Sequence, residues 1–228
     1  MRRRNIFGAP LLIVVALSAA FPAPALADLD ARIVEEILFN GQPRPALKKI
    51  ARWTGKVRWA AAGKRHPPPM ADIREAIAEI NAVLSDSGVT IEEAMPGEAP
   101  QIAVSYLPRE RTQSMQGSSS RSEPGRVGHS IAFPGPNSFI TFGAVAVADD
   151  LSPGHLKYVI LHEFLHVLGV AKHTTYIADS VMRQGQRPET APTELQPFDR
   201  ALLRFLYTEV EPGATREEVR RAWNAKPR

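Results

Sequence analysis

Three of the six histidines in this 228-residue chain fall close together, as His162, His166 and His173. In a helix, residues four positions apart are separated by about 40° around the axis and about 6 Å along it. His162 and His166 can therefore bind one metal ion from the same helical face, and imidazole is a common zinc ligand. Glu163 lies about 100° around the helix from His162, where it is placed to accept a proton from water. The spacing predicts a site for metal-assisted hydrolysis.

Whether a third histidine can bind the same metal ion depends on how the chain continues after that helix. Gly169 can adopt the positive φ that a sharp chain reversal requires. Such a reversal would bring His173 back as a third ligand and leave one coordination position for water. The opposite arc of the helix is apolar, so we expect the helix to be buried and to hold the site rigidly. The residues of that arc are Ile160, Leu161, Phe164, Leu165 and Leu168.

The segment 162–182 resembles the metzincin zinc metallopeptidases, whose motif H-E-x-x-H-x-x-G-x-x-H is followed by a methionine-containing turn under the metal. The positions that match are His162, Glu163, His166, Gly169 and Met182. His173 lies one residue beyond the family spacing, where Lys172 stands, and a protonated lysine is a poor metal ligand. The resemblance implies either a one-residue bulge that admits His173 or a different third ligand. Asp179 is the first such alternative and Tyr176 the second.

This resemblance extends less specifically over residues 56–210 and implies a fold. We expect an α+β, zincin-like domain with a twisted mixed sheet, an edge strand over the cleft, an active-site helix and C-terminal helices. Residues 139–147 are similar to the edge strand along which a substrate lies. The chain after residue 27 is also similar to a bacterial group of exported domains of unknown function.

The function implied by the resemblance is hydrolysis of peptide bonds with zinc as cofactor. Glu163 would take a proton from water and deliver it to the leaving amine, and the substrate would be a peptide or protein. The shifted position of His173 keeps a second hypothesis open, a binding module of the cell envelope that retains the fold and the metal without turnover. A purely structural zinc site is a third hypothesis, and it needs a fourth protein ligand, for which Asp179 is the candidate.

The N-terminus has the pattern of a secretory signal peptide. Arg2, Arg3 and Arg4 precede a short apolar run, and Ala25-Leu26-Ala27 supplies small residues for cleavage after Ala27. The chain is therefore expected to be exported, to a periplasm or beyond, by either the general or the twin-arginine route. We expect the signal over residues 1–27, a helical support segment over 28–55 and the catalytic domain over 56–228. The support segment could alternatively be a pro-segment.

Composition narrows the possible partners. Cleavage of the signal removes three arginines and leaves 25 basic and 24 acidic residues. A nearly neutral chain has no electrostatic drive toward nucleic acid, and no later apolar run is long enough to insert in a membrane. The absence of cysteine excludes disulfides, thiolate metal ligands and a cysteine nucleophile.

Apolar periodicity, capping residues and turn residues predict the elements that position the site. Helices are expected over residues 29–39, 45–53, 73–84, 153–168, 198–207 and 216–223. Strands are expected over residues 56–60, 89–91, 101–107 and 139–148. A polar surface loop is expected over residues 108–130.

Overall fold

The structure is a computed structural model that describes five stretches of the chain. These are residues 31–39, 48–62, 70–115, 127–186 and 190–226. The predicted signal peptide and its cleavage site lie outside the described residues. Among the helices of the described stretches, none combines the length and the apolar character needed to cross a membrane.

The described residues form a mixed α+β fold, which confirms the expected class. The helices are α1 (Ala31–Phe39), α2 (Met70–Leu84), α3 (Arg109–Ser114), α4 (Pro153–Val167), α5 (Pro197–Thr208) and α6 (Arg216–Asn224). The strands are β1 (Lys56–Ala62), β2 (Thr90–Glu93), β3 (Ile102–Leu107), β4 (Gly128–Pro134) and β5 (Ile140–Ala148).

The five strands form one mixed sheet with the order β2-β1-β3-β5-β4. Neighbouring strands are parallel except for β4, which runs antiparallel to β5. The prediction that residues 139–147 form the edge strand is wrong, because β5 pairs with β3 on one side and with β4 on the other. The edge strand beside β5 is β4, although the sequence predicts its first residues to belong to the loop 108–130.

The apolar period that predicts α2 corresponds to its buried side. Ile73, Ile77, Ile80 and Leu84 are buried, and α2 packs against α4 and α5. Helix α4 packs against α2 and against strands β4 and β5. Its apolar residues are buried, so α4 is part of the core.

Two local predictions differ from the structure. The described part of the helix expected over residues 45–53 is not helical, because long-range partners take its backbone groups. Ile50 N donates to Ala214 O at 2.9 Å, and Ile140 N donates to Arg52 O at 2.9 Å. Within the expected loop 108–130, the structure instead has the short helix α3 and the start of β4.

The C-terminal helices agree with their capping residues. Thr215 and Glu218 have the residue types and spacing of a capping box, and they form one at the start of α6. A second capping box, formed by Gln196 and Asp199, begins α5. Helix α1 packs against α6, so that the first and last described helices are neighbours.

Candidate metal centre

Helix α4 carries His162, Glu163 and His166 on a buried scaffold. The side chain of Glu163 is 6% exposed, and both histidines are half-buried. The two imidazole rings have centroids 5.0 Å apart, as the four-residue spacing on one helical face predicts.

The chain reverses at Gly169, directly after α4. Gly169 has a φ of 106°, and a Cβ at this position would lie 2.4 Å from Ala51 O. Both the positive φ and the lack of space require glycine here. The last carbonyl groups of the helical end are satisfied by side chains, since Trp53 Nε1 donates to Val167 O and Tyr207 Oη donates to Leu168 O, each at 2.9 Å.

The reversal brings His173 to the two histidines of α4. Its Nε2 lies 2.9 Å from Nε2 of His162 and 3.1 Å from Nε2 of His166. Asp179 is exposed and is not part of this cluster, and the side chain of Tyr176 is 63% exposed. Among the described residues, the three histidines are the one group of histidine and acidic side chains whose geometry could hold a metal ion.

The outer nitrogens of the rings indicate which atoms point at the metal position. His162 Nδ1 is 2.8 Å from Val181 O, and His166 Nδ1 is 2.7 Å from Val170 O. A carbonyl only accepts, so each Nδ1 carries a proton, and in the neutral ring Nε2 then presents a lone pair. Converging lone pairs repel each other unless a cation lies between them. The donor set therefore fits a divalent metal ion, whose histidine ligands commonly donate their other N–H to a carbonyl.

The turn at Val181 and Met182 is hydrogen-bonded to the segment that carries the histidine cluster. Val181 supplies the carbonyl that orients His162, while Met182 is fully buried and its carbonyl accepts from Thr174 N at 2.8 Å. This one turn thus contacts both His162 and the residue that follows His173.

Asp199, at the start of α5, holds that turn in place. The sequence does not predict this role. Its carboxylate accepts hydrogen bonds from Ser180 Oγ at 2.5 Å and from Val181 N at 3.0 Å. Burial raises the pKa of Asp199, while these hydrogen bonds and one from the Gln196 amide lower it. The sequence signal was the capping-box position of Asp199, which does not reveal the second role.

Replacing Asp199 by asparagine is expected to weaken metal binding. An amide offers one acceptor oxygen in place of two, so that either the Ser180 hydroxyl or the Val181 amide loses its acceptor, at a cost of about 1–3 kcal/mol of folding stability. Disturbing the group that accepts the other N–H of a metal-binding histidine typically lowers metal affinity about 10- to 100-fold. A competition titration with a zinc-binding dye checks this, and zinc affinity equal to that of the wild type would contradict the role of Asp199.

Glu163 is oriented by strand β4. Ser130 Oγ donates to Glu163 Oε2 at 2.5 Å. A Cβ at Gly128 would lie 2.5 Å from Glu163 Oε1 and 2.6 Å from Val159 Cγ1, so a larger residue here would displace the carboxylate or the valine. Sequence reasoning missed both residues because it assigned them to a loop, although their two-residue spacing is the period of one strand face.

Tyr158 lies one helical turn before His162, with ring centroids 5.8 Å apart. Burial raises the pKa of Tyr158 to about 12, and the negative charges of Glu163 and Asp199 add to this effect. The phenol therefore remains neutral at physiological pH and adds no negative charge beside the histidine cluster.

Comparisons with known proteins give a family but no described activity. A family model described as "Protein of unknown function (DUF2927)" matches residues 32–225. No curated protein matches the chain. The solved structure of Myroilysin is similar at 13% sequence identity and a TM-score of 0.42, over 70% of this chain and 83% of that one.

Proposed function

We propose that this chain, which belongs to the DUF2927 family of proteins of unknown function, is a zinc-dependent metallopeptidase of metzincin type. The observation that carries this proposal is the convergence of three histidine Nε2 atoms, two of them from the helix that also carries the buried Glu163. Three neutral imidazoles with one open position form the ligand set of a catalytic zinc site, whereas a structural site has four protein ligands.

The residues of the chain have separate roles in the proposed reaction. When bound, zinc supplies Lewis-acid activation of water and polarises a peptide carbonyl. Glu163 accepts the proton of the attacking water on its carboxylate and returns it to the leaving amine. The hydrogen bond from Ser130 Oγ to Oε2 restricts rotation of that carboxylate, and so holds it in one orientation for both proton transfers.

The position of β4 supports a peptide as the substrate. This strand ends the sheet on the side of Glu163, because Gly128 and Ser130 both lie against that carboxylate. The outer edge of a terminal strand presents N–H and C=O groups that an extended peptide can pair with. A peptide bound there would run past Glu163, as peptide hydrolysis requires.

We also propose that the reaction takes place outside the cytoplasm, after cleavage of the segment 1–27. This part of the proposal depends on the N-terminal sequence pattern. The nearly neutral remainder favours peptide or protein substrates over nucleic acid. The N-terminal support over residues 28–55 and the catalytic domain over 56–228 remain the proposed division of the chain.

Metal removal and reloading tests the proposed function. Zinc-loaded protein is expected to cleave members of a mixed peptide library, to lose this activity with its metal in a chelator, and to regain it with zinc. Magnesium is the matched control and should restore nothing, because it prefers oxygen ligands. Cleavage that persists in verified metal-free protein, or a zinc-loaded protein that cleaves no peptide, would overturn the proposal.

A further inference from the structure

The loop that carries His173 is attached to helix α1. The amides of Ala171 and Lys172 both donate to Ile37 O, at 3.0 and 2.9 Å. The two residues immediately before His173 are therefore held against α1 by their backbone.

The side chains of the loop alternate between α1 and the metal position. Lys172 Nζ forms an ion pair with Glu36 of α1, whereas His173 points at His162 and His166. Thr174 N donates to Met182 O at 2.8 Å on the other side of the loop. Residue 173 is thus flanked by two anchored neighbours, one held by α1 and one by the turn at Met182.

Helix α1 is itself firmly attached to the domain. Glu35 is 5% exposed and pairs with Arg220 of α6, and the guanidinium of Arg216 lies 5.0 Å from the ring centroid of Phe39. The apolar side of α1 is part of the hydrophobic core. Removal of α1 would expose core residues and release the contact with the loop.

We propose that α1 is a positioning element of the metal centre, which sets the register of the loop so that residue 173, and not residue 172, reaches the metal. This inference rests on the proposed metal site. It assigns Glu36 and the Ile37 carbonyl a role in metal binding, although neither contacts the metal. It also predicts that the segment around α1 stays with the mature protein and is not a removable pro-segment.

Moving the histidine tests the register. His173→Ala should bind zinc weakly, and combining it with Lys172→His, which recreates the metzincin spacing, should not restore binding, because position 172 is directed at α1. Lys172→His alone should still bind zinc, with an affinity lowered by no more than about tenfold, since His173 is in place and only the ion pair with Glu36 is lost. If the double variant regains wild-type zinc affinity, the loop can shift its register freely and the proposal is overturned.

Reversing the charges tests the contact with α1 separately. Glu36→Lys should lower zinc affinity about tenfold, at the lower end of effects from groups that orient ligands. Glu36→Lys combined with Lys172→Glu should restore it by remaking the ion pair. Arg109→Glu is the matched control, because it reverses one charge of the exposed pair between Arg109 and Asp150 without touching α1 or the loop, and it should leave zinc affinity unchanged.

The outcomes separate this proposal from the proposed function. Thermal unfolding of each metal-free variant identifies any that have lost the fold, and the charge-reversed pair remains informative because its double variant should recover. Wild-type protein that binds no zinc would contradict the metal site itself. Wild-type zinc affinity in Glu36→Lys, with zinc lost in His173→Ala, would leave the site intact and overturn the role of α1.

Discussion

Replacement of Glu163 by glutamine is expected to abolish peptide hydrolysis while zinc stays bound. Glutamine has nearly the same shape and can still accept the hydrogen bond that Ser130 Oγ gives to Oε2, but it cannot take a proton from water. Removal of a general base typically lowers the rate by about 10²- to 10⁴-fold. Steady-state kinetics with zinc-loaded protein and zinc content per chain provide the two measurements.

The same substitution separates the enzyme from the binding module. Glu110→Gln is the matched control, since Glu110 is an exposed residue of α3, and it should retain full activity. If Glu163→Gln retained the hydrolysis of the wild type, Glu163 would not be the general base. If the wild type bound peptides and zinc without turnover, the binding-module hypothesis would replace the enzyme.

Replacement of His173 by alanine is expected to remove most of the zinc affinity. Zinc-binding free energies of four-ligand protein sites are about 10–16 kcal/mol, so one of three protein ligands carries several kcal/mol, which corresponds to at least about 100-fold in affinity. Added zinc should also stop raising the unfolding temperature, because that shift depends on preferential binding to the folded state.

Asp179 provides the matched control for this experiment. It was the alternative third ligand, and its exposed side chain lies outside the histidine cluster. Asp179→Ala should therefore bind zinc like the wild type. Zinc loss in Asp179→Ala combined with retention in His173→Ala would contradict the ligand set.

The features that were predictable from sequence arise from local rules. The period of apolar residues identified α2, and the capping box at Thr215 identified the start of α6. The positive φ of Gly169 followed from the need for a reversal after α4. Each of these features depends on residues within a few positions of one another, so it can be predicted from a short segment of the sequence.

The features that were missed depend on distant partners. Strand β4 was partly assigned to a loop because its role follows from pairing with β5 and from the contact of Ser130 with Glu163, 33 positions away. The segment 48–53 resembled a helix, but Ala214 and Ile140 bind its backbone groups. Local propensity cannot show such partners, because tertiary contacts override it.

The candidate third ligand, His173, also depends on distant partners that the sequence does not display. The sequence left His173, Asp179 and Tyr176 open because the metzincin spacing points to Lys172. The backbone just before His173 is hydrogen-bonded to the Ile37 carbonyl, more than 130 residues earlier in the chain. The motif does not predict that contact, because it covers only α4 and the residues that follow it and contains no residue of α1.

The most direct test of the central claim is the number of zinc ions bound per chain. Protein purified from residue 28 onward is equilibrated with zinc, freed of excess metal and measured by elemental analysis beside His173→Ala. The three-histidine site predicts about one zinc ion per wild-type chain and a marked loss in the variant. A folded wild-type protein that remains metal-free when offered zinc would contradict the metal centre and the peptidase activity proposed from it.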